Sequence, residues 1–371
     1  MKIAIVHDWL VNVAGAEKVL KQLLICYPNA DVFCLFDYLN TNDKQTVLNG
    51  RKTTTTYLQN IPFIKTKYRF LIPFLFKAIE KLDLKDYDLI ISSSHAVAKG
   101  VKKHKRQQHF CYCHTPVRYA WNLKSTYLKR IPPLFKSIAS NQLEKMRVWD
   151  LENSQQVDFF IANSNYIKGR IKSNYQREAD VIHPPVDADY YQPKSVERDN
   201  NIAPFLVISR LVHYKMINLI VEAFNQLPHL KLQVIGEGPQ LNNLKAIANK
   251  NITFLGFLPN SQLIHYYQNS EALIQIAVED FGITSLEAQA CGLPVIALNK
   301  GGYTETTIHH KTGVLFEEQT ANSLIKGIEE YLKIKSTLKT TDLRANAILF
   351  GEERFRSELM AFINNKIIIK D

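Results

Sequence analysis

Two carboxylates, Glu279 and Glu287, stand eight positions apart in the run AVEDFGITSLEAQACGLPVIALNKGGYTE, residues 277–305 of a 371-residue chain. That separation spans more than two helical turns, and a bend of the backbone is expected between the two side chains. Phe281-Gly282 supplies the bend, because glycine accepts backbone angles that other residues avoid. Thr284, three residues before Glu287, reads as a capping box and predicts a helix from Ser285. Gly292 and Pro294 end it near Cys291, and Val295–Leu298 reads as a buried strand. The expected result is a helix N-terminus flanked by carboxylates. Its backbone N–H groups would attract phosphate, and Glu287 could hold sugar hydroxyls or simply be a satisfied capping residue.

Positioning such groups takes strands, and the chain has them at regular intervals. Lys2–Val6 is a short apolar strand followed by a loop with Gly15, which lets backbone approach a ligand closely, and by a helix with Val19, Leu20, Leu23 and Leu24 at helical spacing. Further strands are predicted at Asp31–Phe36, Tyr87–Ile91 and Asp158–Ala162, a helix around 142–156, and another opened by Asn163-Ser164. The segment His109–Trp121 reads as a strand that delivers a loop. Pro116 stops it and leaves His114 and Arg118 at its carboxyl end, where open α/β sheets bind ligands. A purely structural histidine is the alternative for His114. Cys111, Cys113 and His114 could form a metal cluster, but strand alternation puts His114 opposite the two thiols.

The second half restarts the pattern. Phe205–Ile208 is a strand that runs into Ser209–Lys215, where Arg210 and Lys215 are the cations. Leu232–Ile235 leads to a glycine turn at Gly236, which lacks the third glycine and downstream acid of a dinucleotide fingerprint. Leu273–Ile276 delivers Glu279. No acidic metal motif such as DxD accompanies these elements, so none is expected to hold a divalent ion.

The carboxylate spacing within EDFGIT, EAQACGLPVIA and GGYTE resembles the signature of the retaining glycosyltransferases of family 4. CHTPVRYAW is similar to the subset that builds bacterial surface polysaccharides, including mannosyltransferases. The resemblance implies an α/β chain of GT-B architecture, two Rossmann-like domains facing across a cleft: residues 1–190, completed by a helix at about 350–371, a linker at 191–203, and a nucleotide-sugar donor domain at 204–349. It implies that Glu279 and His114 hold the donor sugar. It assigns the donor to Gly15, Arg210, Lys215, Gly236, Phe281, Gly282, Ile283, Thr284 and Glu287, and Arg118 to the acceptor side. The implied activity is retaining transfer of a hexose, with mannose from GDP-mannose the preferred donor, to a polyprenyl-diphosphate-linked saccharide, without cofactor or metal. Ala14 stands where the family commonly has the first of two glycines, and Met216-Ile217 stand where a basic or small residue usually follows the lysine. Another GT-B enzyme, such as a nucleotide-sugar epimerase or a phosphorylase, is one rival; a non-enzymatic binder of anionic lipid or nucleic acid is the other.

Composition bounds these readings. A chain of this length exceeds the size at which one core keeps growing, which favours two domains. Its five scattered cysteines form neither a disulfide framework nor paired CxxC units. No apolar run reaches membrane-spanning length, and a strand containing no leader pattern opens the chain, so a cytoplasmic location is expected. The net charge is +11, yet residues 51–150 hold 20 basic against 6 acidic residues, leaving the remainder slightly acidic. Residues 61–82 interleave Phe63, Tyr68, Phe70, Phe74 and Phe76 with Lys65, Lys67, Arg69, Lys77 and Lys81, and Lys99, Lys102, Lys103, Lys105 and Arg106 extend the bias. This composition suits an anionic membrane surface, with nucleic acid not expected as a partner; the alternative is a packed helix with a solvated basic edge.

Overall fold

The computed structural model describes residues 1–68, 72–121, 124–128, 131–194 and 203–367. It comprises two compact units, Met1–Pro184 with Phe355–Asp371, and Pro185–Arg354. The first unit is built on seven strands, β1 (Ile3–His7), β2 (Asp31–Cys34), β3 (Thr53–Thr55), β4 (Leu89–Ser94), β5 (Gln108–Cys113), β6 (Phe159–Ala162) and β7 (Ala179–Val181). All pair in parallel, in the order β3-β2-β1-β4-β5-β6-β7. The central strands are buried on both faces, which is why they read as continuous apolar runs. On one face the helix Gly15–Cys26 contributes Val19, Leu20, Leu23 and Leu24, and the helix Glu352–Lys366 contributes Phe355, Leu359 and Ile363 at four-residue spacing. The strand order reverses between β1 and β4, the position at which open α/β sheets leave a crevice.

Sequence and structure differ here in several places. β3 and β7, three-residue edge strands, carry too few residues for a periodic signal. The helix expected around 142–156 runs Pro133–Ser154, its first position taken by a proline whose missing N–H costs nothing there. Within 61–82 there are two short helices, Ile64–Lys67 and Ile72–Ile79. Leu75, Phe76, Ala78 and Ile79 are buried, whereas Phe63 is 75% and Phe74 52% exposed beside exposed Lys65, Lys77 and Lys81. Arg69, Phe70 and the side chain of Lys67 lie outside the described residues. Lys99 does not belong to the basic surface. It is fully buried, 2.6 Å from Asp150 and donating to the Ala96 carbonyl at 2.8 Å. Asp150 also accepts from Tyr175 and Trp121 at 2.6 and 2.8 Å. Lys103 is held by Asp158 at 2.6 Å.

The second unit repeats the scheme with six parallel strands, β8 (Phe205–Ile208), β9 (Leu232–Ile235), β10 (Ile252–Gly256), β11 (Leu273–Gln275), β12 (Val295–Leu298) and β13 (Gly313–Phe316), in the order β10-β9-β8-β11-β12-β13. The order reverses between β8 and β11. The boundary between units falls at Pro184-Pro185, upstream of the expected connection at 191–203. Val186 bridges to Gly351, and Tyr191 packs in the same apolar cluster as Tyr267, so this proline-rich stretch is part of the second unit. Of the expected linker, residues 195–202 lie outside the described residues. The first unit is resumed at Phe355, within a helix, rather than at about 350. No helix among the described residues is long and apolar enough to cross a membrane.

The buried pair suggests a stability test. Asp150→Ala leaves the Lys99 ammonium buried without its counter-charge and is expected to destabilise the first unit by about 3–5 kcal/mol in urea titrations. Joint replacement with Lys99→Met should recover much of that loss; equal losses in the single and double variants would contradict this account.

Candidate active site

In the second unit the groups singled out from the sequence gather at the carboxyl ends of β8 and β11. The loop after β8 carries Arg210, Tyr214 and Lys215; the loop after β11 carries Glu279. The Lys215 ammonium is hydrogen-bonded to Glu279 Oε1, with 18% and 17% of the two side chains exposed, and the Arg210 guanidinium donates to the Tyr214 hydroxyl. Two cations and a carboxylate therefore sit at the strand-order reversal of this sheet. The Lys215 loop ends at Met216, whose φ of 53° is left-handed, and this turn caps the helix Ile217–Asn225. A non-glycine residue held in that region is strained, a feature that concentrates at functional sites.

The acidic turn is locked from below by backbone contacts. Glu279 bridges to Gly301, and Gly302 N–H donates to the Glu279 carbonyl at 2.9 Å. A methyl group at Gly302 would overlap the Phe281 backbone, and one at Gly282 would meet the Tyr303 ring. Gly236, with φ of 133°, likewise has no room for a side chain against the Ser209 carbonyl, so it fixes the approach of two loops.

Three expectations for this stretch are corrected. The helix runs Ile283–Ala290, because Gly282 adopts φ of 90° as its N-cap and starts the helix two residues before Ser285. There is thus no capping box: Thr284 Oγ1 accepts from Gln275 at 3.1 Å, and the Ser285 N–H is already engaged with the Gly282 carbonyl. Glu287 falls in the second turn, only 3% exposed, where its Oε2 accepts from the Tyr267 hydroxyl at 2.9 Å. Burial and this carboxylate hold Tyr267 well above the usual tyrosine range. Phe281 turns inward against Phe350, with ring centroids 5.7 Å apart, and belongs to the core. Ile283 packs half-buried against the same cluster.

The first unit brings a second set of groups to its own strand reversal. His114 follows β5, its N–H donating to the Ser94 carbonyl and its carbonyl accepting from Asn163. Its ring Nε2 lies 2.9 Å from Ser93 Oγ, which lies 3.1 Å from His7 Nδ1; His7 Nε2 is 3.4 Å from Glu17. Burial, then the neighbouring histidines His95 and His7, push the His114 pKa well below the ordinary imidazole value. Gly15 begins the helix that carries Glu17, and Ala14, its N-cap, is extended at φ of −135°, which alanine adopts without strain. The departure from a glycine pair is therefore accommodated. Arg118 lies half-buried on the loop beyond β5. Cys111 and Cys113 pack into an apolar cluster with Ile167 and Ile171.

Asp8 is the group that sequence reasoning passed over. It is fully buried and accepts four backbone N–H groups: His95 and Ala96 on one oxygen at 2.6 and 3.0 Å, Val97 and Ala98 on the other at 2.5 and 2.6 Å. The His95 ring nitrogen is 3.0 Å away. Burial alone would raise the Asp8 pKa, but His95 and the N–H donors outweigh it and hold the carboxyl far below its usual range. Conversely, burial disfavours the His95 imidazolium while Asp8 favours it, and the net shift is upward. The readable signal was an aspartate directly after an apolar strand together with the SSSHAVAKG loop.

Among the described residues, His309, His310 and Glu330 have metal-ligand spacing on the surface of the second unit. His309 Nδ1, however, accepts the Leu315 N–H at 3.0 Å, so in the neutral ring Nε2 carries the proton and faces Glu330 as a donor. The contact is that of a neutral imidazole N–H facing a carboxylate.

Comparison with known proteins identifies the architecture and then the family. HepE of Anabaena, solved with UDP and glucose, superposes with a TM-score of 0.69 at 19% identity over 98% of this chain and 99% of that one. Sucrose-phosphate synthase of Thermosynechococcus elongatus gives a TM-score of 0.75 at 17% identity, with 98% and 99% covered. The fold is thus the α/β architecture of GT-B glycosyltransferases. Residues 13–190 match Glycosyltransferase Family 4 and residues 192–350 match Glycosyl transferases group 1, and the chain belongs to the family 4 glycosyltransferases. Among relatives, the GDP-mannose-dependent alpha-(1-6)-phosphatidylinositol monomannoside mannosyltransferase of Mycobacterium tuberculosis is 29% identical over 199 residues, 46% of this chain and 51% of its own length. The chain spans about half the length of the curated relatives it matches first.

The Asp8 network makes stability pH-dependent. A carboxyl with a depressed folded pKa contributes stability that is present above its ordinary value near 4 and lost as pH falls through the folded value. Asp8→Asn is expected to lower the stability of the first unit at pH 7 by on the order of 2 kcal/mol and to flatten its acid dependence below about pH 4. Urea titrations at both pH values check this, and parallel curves for variant and parent would contradict it.

Proposed function

We propose that this protein is a retaining hexosyltransferase that moves mannose from GDP-mannose to a polyprenyl-diphosphate-linked saccharide in surface-polysaccharide assembly. The observation that carries the reading is the meeting of Arg210, Lys215 and Glu279 at the β8/β11 reversal of a family 4 chain. Arg210 and Lys215 bind the diphosphate and stabilise the charge that grows on it as the glycosidic bond breaks. Glu279, released from Lys215 when the phosphate arrives, accepts from sugar hydroxyls. Glu287, anchored by Tyr267, presents its remaining capacity to the ribose, and Gly236, Gly282, Ile283 and Thr284 shape the backbone beside it. His114 faces the transferred sugar, Gly15 lets the first βα turn come close to it, and Arg118 serves the acceptor. Phe281 supports this site from the core. That the mycobacterial relatives are GDP-mannose-dependent mannosyltransferases supports GDP-mannose as donor. The cations do the work a divalent ion does elsewhere, so the reaction is metal-independent.

A thermal-shift screen of GDP- and UDP-sugars tests the donor. GDP-mannose at a hundred times its dissociation constant is expected to stabilise by about 2.7 kcal/mol, UDP-sugars far less. Lys215→Ala should weaken GDP strongly and guanosine little, and activity should survive EDTA. A preference for UDP-sugars, equal weakening of both ligands, or a strict need for added manganese or magnesium would each overturn its part of the reading.

The acceptor's lipid places the enzyme at the inner face of the cell membrane. Exposed Phe63 and Phe74 among Lys65, Lys77 and Lys81 support docking of the first unit on anionic lipid, with Lys102, Lys105 and Arg106 adding exposed charge. Each such cation contributes on the order of 1 kcal/mol, screened by salt. Lys65→Glu, Lys77→Glu and Lys81→Glu together are expected to abolish salt-sensitive sedimentation with anionic vesicles while leaving donor-induced stabilisation unchanged. Vesicle binding that ignores salt or survives the triple change would return this stretch to a packed helix with a solvated edge.

A further inference from the structure

Four side chains of the first unit form an unbroken file of polar contacts, Glu17, His7, Ser93 and His114, at 3.4, 3.1 and 2.9 Å. They come from the first helix, β1, β4 and the end of β5, and all are buried. The direction of every proton in the file follows from one end. Glu17 Oε2 accepts the Ala14 N–H at 2.8 Å and Oε1 faces His7, so the group is an ionised, acceptor-only carboxylate. Burial opposes that ionisation, but the His7 contact and the Ala14 N–H prevail and lower its pKa. His7 Nε2 must then carry a proton. In a neutral ring its Nδ1 is an acceptor and takes the Ser93 hydroxyl proton. The Ser93 oxygen is left to accept, so His114 donates from Nε2–H and keeps Nδ1 as a bare acceptor.

We propose that Glu17 sets the tautomer of His114 through His7 and Ser93, making these three positioning residues that keep His114 Nδ1 able to accept a hydroxyl proton. The inference rests on the reading of His114 as a sugar-facing group, since an acceptor nitrogen is what a sugar hydroxyl needs. A doubly protonated His7 would still donate to Glu17 but would reverse the arrows from His7 to Ser93 and from Ser93 to His114 and turn His114 Nδ1 into a donor, so the file also determines which polarity the sugar meets.

The test is imidazole nitrogen and carbon NMR on the full chain with labelled histidine, the His114 signals being assigned by their loss in His114→Gln. The donor-free protein is expected to show His114 in the Nε2–H form. Glu17→Gln, whose amide can serve either His7 tautomer, and Ser93→Ala, which cuts the file, should each give a mixture of forms. With donor present, kcat should fall roughly tenfold, the loss of one hydrogen bond, with a smaller change in KM. An Nδ1–H form in the parent, or an unchanged Nε2–H form in both variants, would overturn the proposal. Because the tautomer is read without donor, a wrong donor assignment would show in the activity arm alone.

Discussion

Four backbone N–H groups converge on the Asp8 carboxylate, and the strand reversal of the first unit is arranged around that anion. Residues 95–98 leave β4 in a tight turn whose amides would otherwise be buried without acceptors, each at a cost of about 1–3 kcal/mol. One side chain directly after β1 satisfies all four. The turn in turn aims His95 back at Asp8 and sends Lys99 inward to Asp150, so the junction between the first and fourth strands is held by two buried charges, each with its partner in place. Ser93 and His114 take their positions from the same junction. The strand reversal is therefore held together by contacts internal to the unit.

The second unit solves the same topological problem by other means. Its reversal is crossed by the ion pair of Lys215 with Glu279, and the turns on either side are held by glycine backbone. Gly236 against Ser209, and Gly302 against Phe281, bring main chains into contacts that no side chain would allow. Behind them a file of neutral groups, Tyr303, Gln275 and Thr284, ties the β11 end to the helix that begins at Ile283. On the proposed reading a donor engages both members of the ion pair, so the Lys215 and Glu279 charges offset each other until phosphate and sugar take them over, and Arg210 adds a further cation for the diphosphate.

How much of this was legible in the sequence depended on the range of the interactions. Strands buried on both faces declare themselves as apolar runs, and Phe205–Ile208, Leu232–Ile235 and Val295–Leu298 coincide with their expected limits. Arg210, Lys215 and Glu279 were visible because each lies in the loop that follows such a strand. What a local reading could not supply was partner identity across the fold. Glu287 looked like a cap because Thr284 precedes it by three residues, whereas the left-handed Gly282 shifts the helix start and Tyr267, twenty residues away, takes the carboxylate. Lys99 looked like surface charge because its neighbours are basic, and only the approach of Asp150 from a distant helix places it in the core. Asp8 carried no motif of its own; its role depends on amides some ninety residues later.

The helix Glu352–Lys366 has a consequence for the order in which this protein can be assembled. Phe355, Leu359 and Ile363 fill the core of the first unit, although the whole of the second unit lies between them and the strands they cover. A ribosome working at about 5–20 residues per second completes the second unit roughly ten to thirty seconds after the last strand of the first has emerged. During that interval the β1–β5 sheet shows an apolar face that its own sequence has not yet supplied a cover for. The second unit has no such debt to later residues and can close as soon as it is made, so the N-terminal unit is begun first and finished last.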